Sequence, residues 1–523
     1  MSDRAAAAPG VRVVPYGTDA LLVDLPGLDA VRALDDVLRA DPLPGTVDVV
    51  PAARTLLVRF APVPGTTAAA DLAVRAERAA VEPGRERADA EPVLLPVRYD
   101  GADLAEVARL SGLDRAEVVR RHAAATYTVA FGGFMPGFAY LTGLDPALHV
   151  PRRSSPRERV PAGAVAVAGE FTAVYPAATP GGWMLLGTCD VPLFDVDHDP
   201  PALLPPGTRV RFTPVDGPVP AASPTASAPP LAVAPGRRTV EVLAPGVLTL
   251  VQDRGRPGLA AVGVGRSGAA DRSALRLANR LVGNAADAAV LEVLLGGVEL
   301  RFPLGGVVAL AGAQVPAWVD TTPVGPHAAT RVPPGGVLRT GHATRGLRLT
   351  VAVRGGIDVP PVLGSRSSDQ LSGIGPAPLR SGDVLGVGDR LQDAAQPWAE
   401  PPRDWAERVV LQVHPGPRAG WFPPGALDRL PAAVYTVTPA SNRVAVRLDG
   451  PPVARLDRGE LPSEPLVPGA VQVPPDGRPV VFGADHPVTG GYPVLAVVEP
   501  RSRDRAAQLR PGDQVVLEPV GHA

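Results

Sequence analysis

Glycine and proline interrupt this chain so often that long helices have little room. Together, 57 Gly and 64 Pro make 121 of its 523 residues. Proline removes a backbone donor and ends helices, and inside sheets both residues mark edges, bulges and turns. The punctuation therefore predicts many short strands joined by turns, close to the composition at which disorder sets in. An apolar fraction of 45% can still fill several cores. At about 150 residues per domain the length points to three or four of them.

What is absent narrows the chemistry. The chain has no lysine, so all 51 basic residues are arginine. A phosphate-binding Walker A loop needs a Lys, as do a Schiff base and a kinase-type strand lysine. Biotin is carried on a lysine amide, so this chain holds none. The single Cys189 excludes an intramolecular disulfide and a multi-cysteine metal site. A net charge of −2 points away from nucleic acid and from anionic membranes. With no apolar leader over Met1 to Gly10 and no 18-residue apolar run, the expectation is a soluble cytoplasmic protein.

The elements fall into segments. Over 1–90, a strand-like run (Val11 to Leu25), a helix (Asp29 to Ala40), a hairpin broken at Pro51 and an Ala-rich helix (Thr66 to Ala80) give a β-α-ββ-α order. That order suggests a ferredoxin-like α+β unit. Over 91–214, two helices meet at Gly112 and are followed from Tyr127 by Gly/Pro-rich strands of barrel or sandwich type. The two helices resemble a DNA reader, but their four acidic and four basic residues cancel, whereas phosphate neutralisation needs a basic face. Residues 215–236 read as a Pro/Ala-rich linker, and 237–523 as a second β-rich region with a helix near Asp271 to Leu281.

One pattern recurs. A Pro/Gly turn and short strand at Pro161 to Val167 lead to Pro180-Gly181-Gly182-Trp183. The same order at Val467 to Val473 leads to Thr489-Gly490-Gly491-Tyr492, about 306 residues later. Two copies of one β-fold facing each other are expected.

Several segments stand out as places for chemistry. Tyr127 to Tyr140 carries five of the 22 aromatic residues among glycines, which suits an apolar ligand wall as well as a core strand and turn. Four Arg lie between Pro151 and Arg159, able to fork onto a carboxylate or phosphate or to sit in solvent. Gln252-Asp253-Arg254-Gly255-Arg256 follows a strand. Asp271 opens a helix that carries Asn279, and caps it as readily as it serves a site. Ser441-Asn442-Arg443 and Ala484-Asp485-His486 are polar, the second just before the repeated Gly-Gly turn. The eight histidines form no H-x-x-x-H pair, so no metal cluster is readable, although His122 and His486 adjoin these segments.

Taken in order, the motifs resemble two proteins joined end to end. Gly133-Phe134-Met135-Pro136-Gly137-Phe138-Ala139-Tyr140, Pro156-Arg157, Val160-Pro161-Ala162-Gly163 and Pro180-Gly181-Gly182-Trp183 resemble the B component of 5-oxoprolinase, the family of the kinase inhibitor KipI. Gln252 to Arg256, Ser267-Gly268-Ala269-Ala270-Asp271, Ala278-Asn279, Val282-Gly283-Asn284, Leu363 to Ser367, Gln472-Val473-Pro474 and Thr489 to Pro493 resemble its C component, the KipA family. The pair is also similar to the carboxyltransferase region of urea carboxylase.

The resemblance implies a mainly β fold with α+β: a ferredoxin-like unit, then cyclophilin-like barrels in both halves. It implies ATP-dependent opening of 5-oxoproline to L-glutamate with a separate A-type subunit, ATP and Mg²⁺ as cofactors, and homo-oligomerisation left open. Catalytic roles fall on His122, Arg153, Arg157, Asp253, Arg256, Arg443 and Asp485. Arg153, Arg157, Arg256 and Arg443 would neutralise phosphate or carboxylate, and Asp253 or Asp485 would hold Mg²⁺. Substrate or nucleotide contacts fall on Phe134, Pro136, Gly137, Phe138, Gly181, Gly182, Trp183, Gln252, Ser267, Asp271, Asn279, Gln472, Thr489, Gly490, Gly491 and Tyr492. The alternatives are a carboxyltransferase acting on urea or a related amide, with biotin on another chain, and a histidine-kinase regulator.

Overall fold

The short strands predicted by the punctuation assemble into four units. The computed structural model describes residues 10–61, 64–82, 91–217, 236–399, 401 and 404–521; most of the expected linker, 218–235, lies outside them. The first unit is α+β. Strands Arg12–Pro15, Ala20–Asp24, Thr55–Phe60 and Thr46–Pro51 lie side by side in that order, all antiparallel, with helices Leu28–Ala40 and Thr66–Val81. It has one strand more than expected, because the run from Val11 to Leu25 turns back on itself at Gly17, whose φ of +71° suits glycine. The turn was hidden in the sequence because Ala20–Asp24 is apolar on both faces. Leu21 and Val23 join the helices in one core, while Ala20 and Leu22 meet the C-terminal barrel in another.

The repeat is a repeat of fold. In the first barrel-like sheet, Val93–Val97 pairs parallel with Arg209–Pro214, followed by Tyr127–Gly132, Ala139–Thr142, Phe171–Val174, Ala164–Ala168 and Met184–Thr188. In the second, Arg408–Pro415 pairs parallel with Gln514–Pro519, followed by Tyr435–Val437, Ala445–Asp449, Val480–Phe482, Ala470–Gln472 and Val494–Val498. The two orders are the same. The second barrel closes through Val494–Val498 onto Arg408–Pro415, whereas the first is bridged there only at Arg98 and Thr188. Each copy also carries a two-stranded ribbon, Arg157–Val160 with Thr179–Gly181 and Glu464–Pro465 with Thr489–Gly490. The cyclophilin-like barrel fits both.

Between the barrels stands a double sheet of seven and five strands enclosing one large core, with Val251, Leu291, Leu310 and Val351 at its centre. Helix Arg272–Leu281 packs on it and is capped by the Asp271 carboxylate, which accepts from Ala274 N at 2.9 Å. The region expected as one β-rich stretch from 237 thus holds two folded units.

The units are fastened by polar contacts as well as apolar ones. Phe134 N donates to Thr489 Oγ1 at 2.9 Å, joining the two barrels. Asp48 accepts from Gly258 N at 2.8 Å, joining the first unit to the double sheet. Arg418 of the second barrel lies between Glu464 (Nε to Oε1, 2.8 Å) and Asp24 of the first unit (Nη1 to Oδ2, 3.0 Å). With Arg418 and Glu464 side chains about nine-tenths buried, removing the cation leaves the Glu464 carboxylate buried and uncompensated, while Asp24 keeps only Arg12 at 3.2 Å. Arg418→Met is therefore expected to cost about 3–5 kcal/mol. The midpoint of urea unfolding reads it, and an unchanged midpoint would show that the triad does not bind the units together.

Candidate functional site

The C-terminal motifs converge where the first unit, the double sheet and the second barrel meet. Two loops lie back to back there. Arg256 N donates to Arg266 O at 2.8 Å and Ala269 N to Asp253 O at 2.9 Å. A side chain on Gly255 would collide with the carbonyls of Arg266 and Ser267, which is why this turn needs glycine. Ser267 itself sits at φ +52°, a left-handed conformation that a non-glycine residue holds only when its surroundings enforce it. The enforcing contact is its Oγ, which donates to Asp485 Oδ1 at 2.6 Å.

Asp485 is the hub of a buried ionic network. Arg443 forks onto it (Nε to Oδ2, 2.8 Å; Nη2 to Oδ1, 2.9 Å), and Gln370 N adds a donor at 3.1 Å. The same guanidinium donates to Gly268 O at 2.7 Å and pairs with Glu292. Glu292 accepts from Ala270 N at 2.8 Å and lies 3.4 Å from Arg348 Nε. Burial pushes the Asp485 carboxyl up, but the Arg443 guanidinium and the Ser267 hydroxyl overcome it and hold it below the usual carboxylate range.

On one side of this network opens a cleft of 240 Å³, lined by Arg266, Arg272, Arg276, Arg443, His486 and Arg503 among others. Its arginines are not alike. Arg443 is committed to Asp485 and Glu292, and Arg276 stands 3.9 Å from Asp504. Arg503 donates only to the carbonyl of Pro468, at 3.0 Å. The guanidinium groups of Arg266 and Arg272 have no acceptor among the described residues, and Arg266 Nε is buried without a partner. Burial first, and then the positive neighbours Arg266, Arg503 and Arg59, push Arg272 down to about 9. His486 is pushed by burial down to about 4, so its ring is neutral at pH 7, with Nδ1 2.8 Å from Pro487 O. A cleft with unmatched cations is a place for an anion.

The structure thus gathers Ser267, Arg443 and Asp485, with Asp271 at the adjacent helix start. The other candidates lie elsewhere. His122 is fully buried in the first barrel, with ring nitrogens 2.8 Å from Tyr99 OH and 3.0 Å from Thr172 Oγ1 and its ring stacked on Phe212. Burial pushes it down to about 3, so it is a neutral core residue with no surface from which to reach a substrate. Arg153 and Arg157 both donate to Asp103 Oδ1, at 3.0 and 2.7 Å, and are tied down by it. Arg256 is buried and donates to the carbonyls of Val362 and Ser367.

Asp253 accepts from Gly255 N, Ser365 Oγ, Ser367 Oγ and Arg366 N, all at 2.6–2.7 Å. Neither Asp253 nor Asp485 keeps an oxygen free of protein donors for Mg²⁺. No group of three or more His, Cys, Asp or Glu among the described residues is arranged to hold a metal ion.

The binding candidates divide in the same way. Gln252 donates to Ser368 O at 2.8 Å, and Asn279 to Ala288 O at 2.7 Å. Asp271 caps its helix and accepts from Gln508 Nε2 at 2.7 Å. Gln472 donates to Tyr492 O at 2.9 Å and braces the turn of Gly490 and Gly491, with Thr489 on the inter-barrel contact. Phe134, Phe138 and Trp183 form an edge-to-face wall with Tyr140 and Tyr175; Pro136 is half-buried beside it. Gly137 fits tightly against Phe194, Gly181 against Tyr175, and Gly182 accepts from Arg153 N at 2.8 Å. Sequence reasoning missed Arg266, Arg272, Arg503 and Glu292. Arg266 and Arg272 flank the quoted run from Ser267 to Asp271, and their adjacency to it was the available signal.

Comparison with known proteins agrees with the architecture. The family model for the carboxyltransferase domain, subdomain C and D, matches residues 11–204, and that for subdomain A and B matches 262–519. The 5-oxoprolinase C component of Escherichia coli (strain K12) is 36% identical over 279 residues, 53% of this chain and 89% of that protein. The 5-oxoprolinase B component of Escherichia coli O157:H7 is 52% identical over 123 residues, 23% of this chain, and the chain spans 56% of its length. The crystal structure of TTHA0988 superposes with a TM-score of 0.84 at 38% identity, covering 95% of this chain and 99% of that one. Among the described residues, no helix is long and apolar enough to cross a membrane.

The network has a pH signature. Asp485 has a native pKa below its unfolded value of about 3.9, so its stabilisation is present above that pH and is lost as pH falls through the native value. Arg443→Met leaves Asp485 buried without its guanidinium, with only Ser267 and Gln370 as donors, which raises its native pKa above the unfolded one. The variant is then expected to be more stable at about pH 5 than at about pH 8, the reverse of the carboxylate contribution in the parent. Chemical unfolding at the two pH values checks this, and parallel profiles would remove the network from the account.

Proposed function

Because the chain belongs to the carboxyltransferase-domain family, with counterparts of the B and C components of 5-oxoprolinase fused in one polypeptide, we propose that it is the B/C component of an ATP-dependent 5-oxoprolinase. It opens 5-oxo-L-proline to L-glutamate together with a separate A-type subunit. The observation that carries this reading is the cleft with unmatched arginines, since the substrate is a small carboxylate and its activation adds phosphate. A cleft of 240 Å³ lies below the roughly 300–1,000 Å³ of pockets that enclose drug-sized ligands. It suits the small acid and leaves the adenine nucleotide to the partner.

A lactam amide resists water because its nitrogen lone pair is delocalised. ATP supplies activation of the carbonyl oxygen as a phosphate ester. In this chain Arg266 and Arg272 hold anionic groups, and the strained loop at Ser267, anchored by Asp485, sets where those guanidinium groups stand. The neutral His486 ring stands at the cleft wall, with Nδ1 2.8 Å from Pro487 O.

Glutamate release from 5-oxoproline and ATP, measured with and without an A-type subunit, tests this. Turnover with the partner is expected, and Arg272→Gln is expected to lower it by about 10²-fold, the scale of losing one charged contact at a reacting group. Incorporation of labelled bicarbonate from carboxybiotin on another chain, in place of glutamate release, would mark a carboxyltransferase and reject the proposal.

A further inference from the structure

The arginines within the expected motifs are used up inside the protein, while Arg266 and Arg272 beside one motif, and Arg503, form no ion pair among the described residues. The acidic groups that line their surroundings are largely engaged elsewhere, and Glu499 acts on Arg503 only at a distance. Asp19 pairs with Arg59 at 3.0 Å, and Asp48 accepts from the backbone N–H groups of Gly258 and Ala260. Asp504 accepts from Arg272 N at 2.9 Å and faces Arg276, and Asp485 and Glu292 belong to Arg443. Arg266 and Arg272 have no acceptor among the described residues, and Arg503 has only a carbonyl. Three half-buried guanidinium groups on one cleft repel one another, and although Asp19, Asp48, Asp504 and Glu499 favour their charge from further off, none of these carboxylates forms an ion pair with them. Planar forked donors match the oxygens of a phosphoryl group better than those of a monovalent ion.

We propose that this cleft is a phosphoryl-dianion site formed by Arg266, Arg272 and Arg503. The inference rests on the reading of the cleft as the reaction site and names the group it takes. The phosphoryl group has two sources, free phosphate or a phosphate ester that also bears a carboxylate. Binding to the folded state adds stability that grows with ligand concentration, so the site reports itself without turnover.

The experiment is a calorimetric and thermal-melting titration of the full chain with inorganic phosphate at pH 7, against chloride at matched ionic strength. Phosphate is expected to bind and to raise the melting temperature where chloride does not. Arg272→Gln is expected to weaken phosphate at least about tenfold, the loss of one charge-assisted hydrogen bond. It is also expected to melt higher than the parent when phosphate is absent, since it removes a repelled cation; a merely structural arginine would do the opposite. Arg266→Gln provides a second variant, and Arg109→Gln, whose partner is the exposed Glu106, is expected to leave phosphate affinity unchanged.

Phosphoenolpyruvate, with carboxylate and phosphate on one small carbon frame, separates the sources. Tighter binding than phosphate marks the ester, and weaker binding marks free phosphate; either outcome supports the site. An equal response to chloride, or equal loss in Arg109→Gln, overturns it. Phosphate binding without glutamate release would reject the proposed activity and leave the site standing.

Discussion

The Arg443 guanidinium, buried between two carboxylates and a backbone carbonyl, is the contact on which the working region depends. It arises from the second barrel, grips Asp485 of the same barrel, and reaches Glu292 and Gly268 O of the double sheet. Burying three charges is costly unless each is matched, and here the matching is close to complete: Asp485 adds Ser267 and Gln370, and Glu292 adds Ala270 and Arg348. The outcome is geometric. The loop from Arg266 to Ala270 is held from both sides, in a backbone conformation that Ser267 would not adopt alone. Arg266, which opens that segment, and Arg272, two residues beyond it, therefore stand on a cleft where no carboxylate among the described residues pairs with them.

Much of the fold could be read from the chain, and the reasons differ by element. The repeat was legible because a Pro/Gly turn, a short strand and a Gly-Gly-aromatic turn are local features with local causes: Gly163 and Gly469 both have φ near +80°. The cap at Asp271 and the stop at Gly112 are local as well. The hairpin at Gly17 was not legible, because burial on both faces of Ala20–Asp24 erases the alternation that marks a strand. The split of the C-terminal region into a double sheet and a barrel depends on strand pairing over long separations, which no local pattern records.

The site was half legible for a related reason. Motif residues such as Arg256, Asp253, Asn279 and Gln252 were read as chemistry, but their side chains are spent on backbone groups of neighbouring loops. They are distinctive in the sequence because irregular loops need particular polar side chains to satisfy buried backbone groups. Arg153 and Arg157 were read as able to fork onto a carboxylate or phosphate or to sit in solvent, and a single distant carboxylate, Asp103, claims both. Whether an arginine is free is a property of its partners, and those lie tens to hundreds of residues away. Arg272 could be identified as lacking an ion pair only once Asp504 was seen to accept from its backbone N–H and Asp485 to be held by Arg443.

The two barrels show how one fold comes to serve different ends. Arg443 stands two residues before the strand that begins at Ala445; in the first barrel the same place, two residues before Ala139, is Gly137. A side chain there would meet Phe194 at 2.7 Å, so the first barrel has no room for an arginine. Around that glycine it builds an aromatic wall instead, with Phe138 edge-on to Tyr140, Tyr175 and Trp183. An aromatic wall needs no counter-ion and packs by area and ring orientation. The first barrel thus contributes an apolar surface and, through Phe134 N on Thr489, a brace against the second, while the buried arginine network beside the cleft belongs to the barrel that carries Arg443. The two barrels are equivalent scaffolds, and the difference between a glycine and an arginine at one loop position decides which of them carries the buried guanidinium that reaches the double sheet.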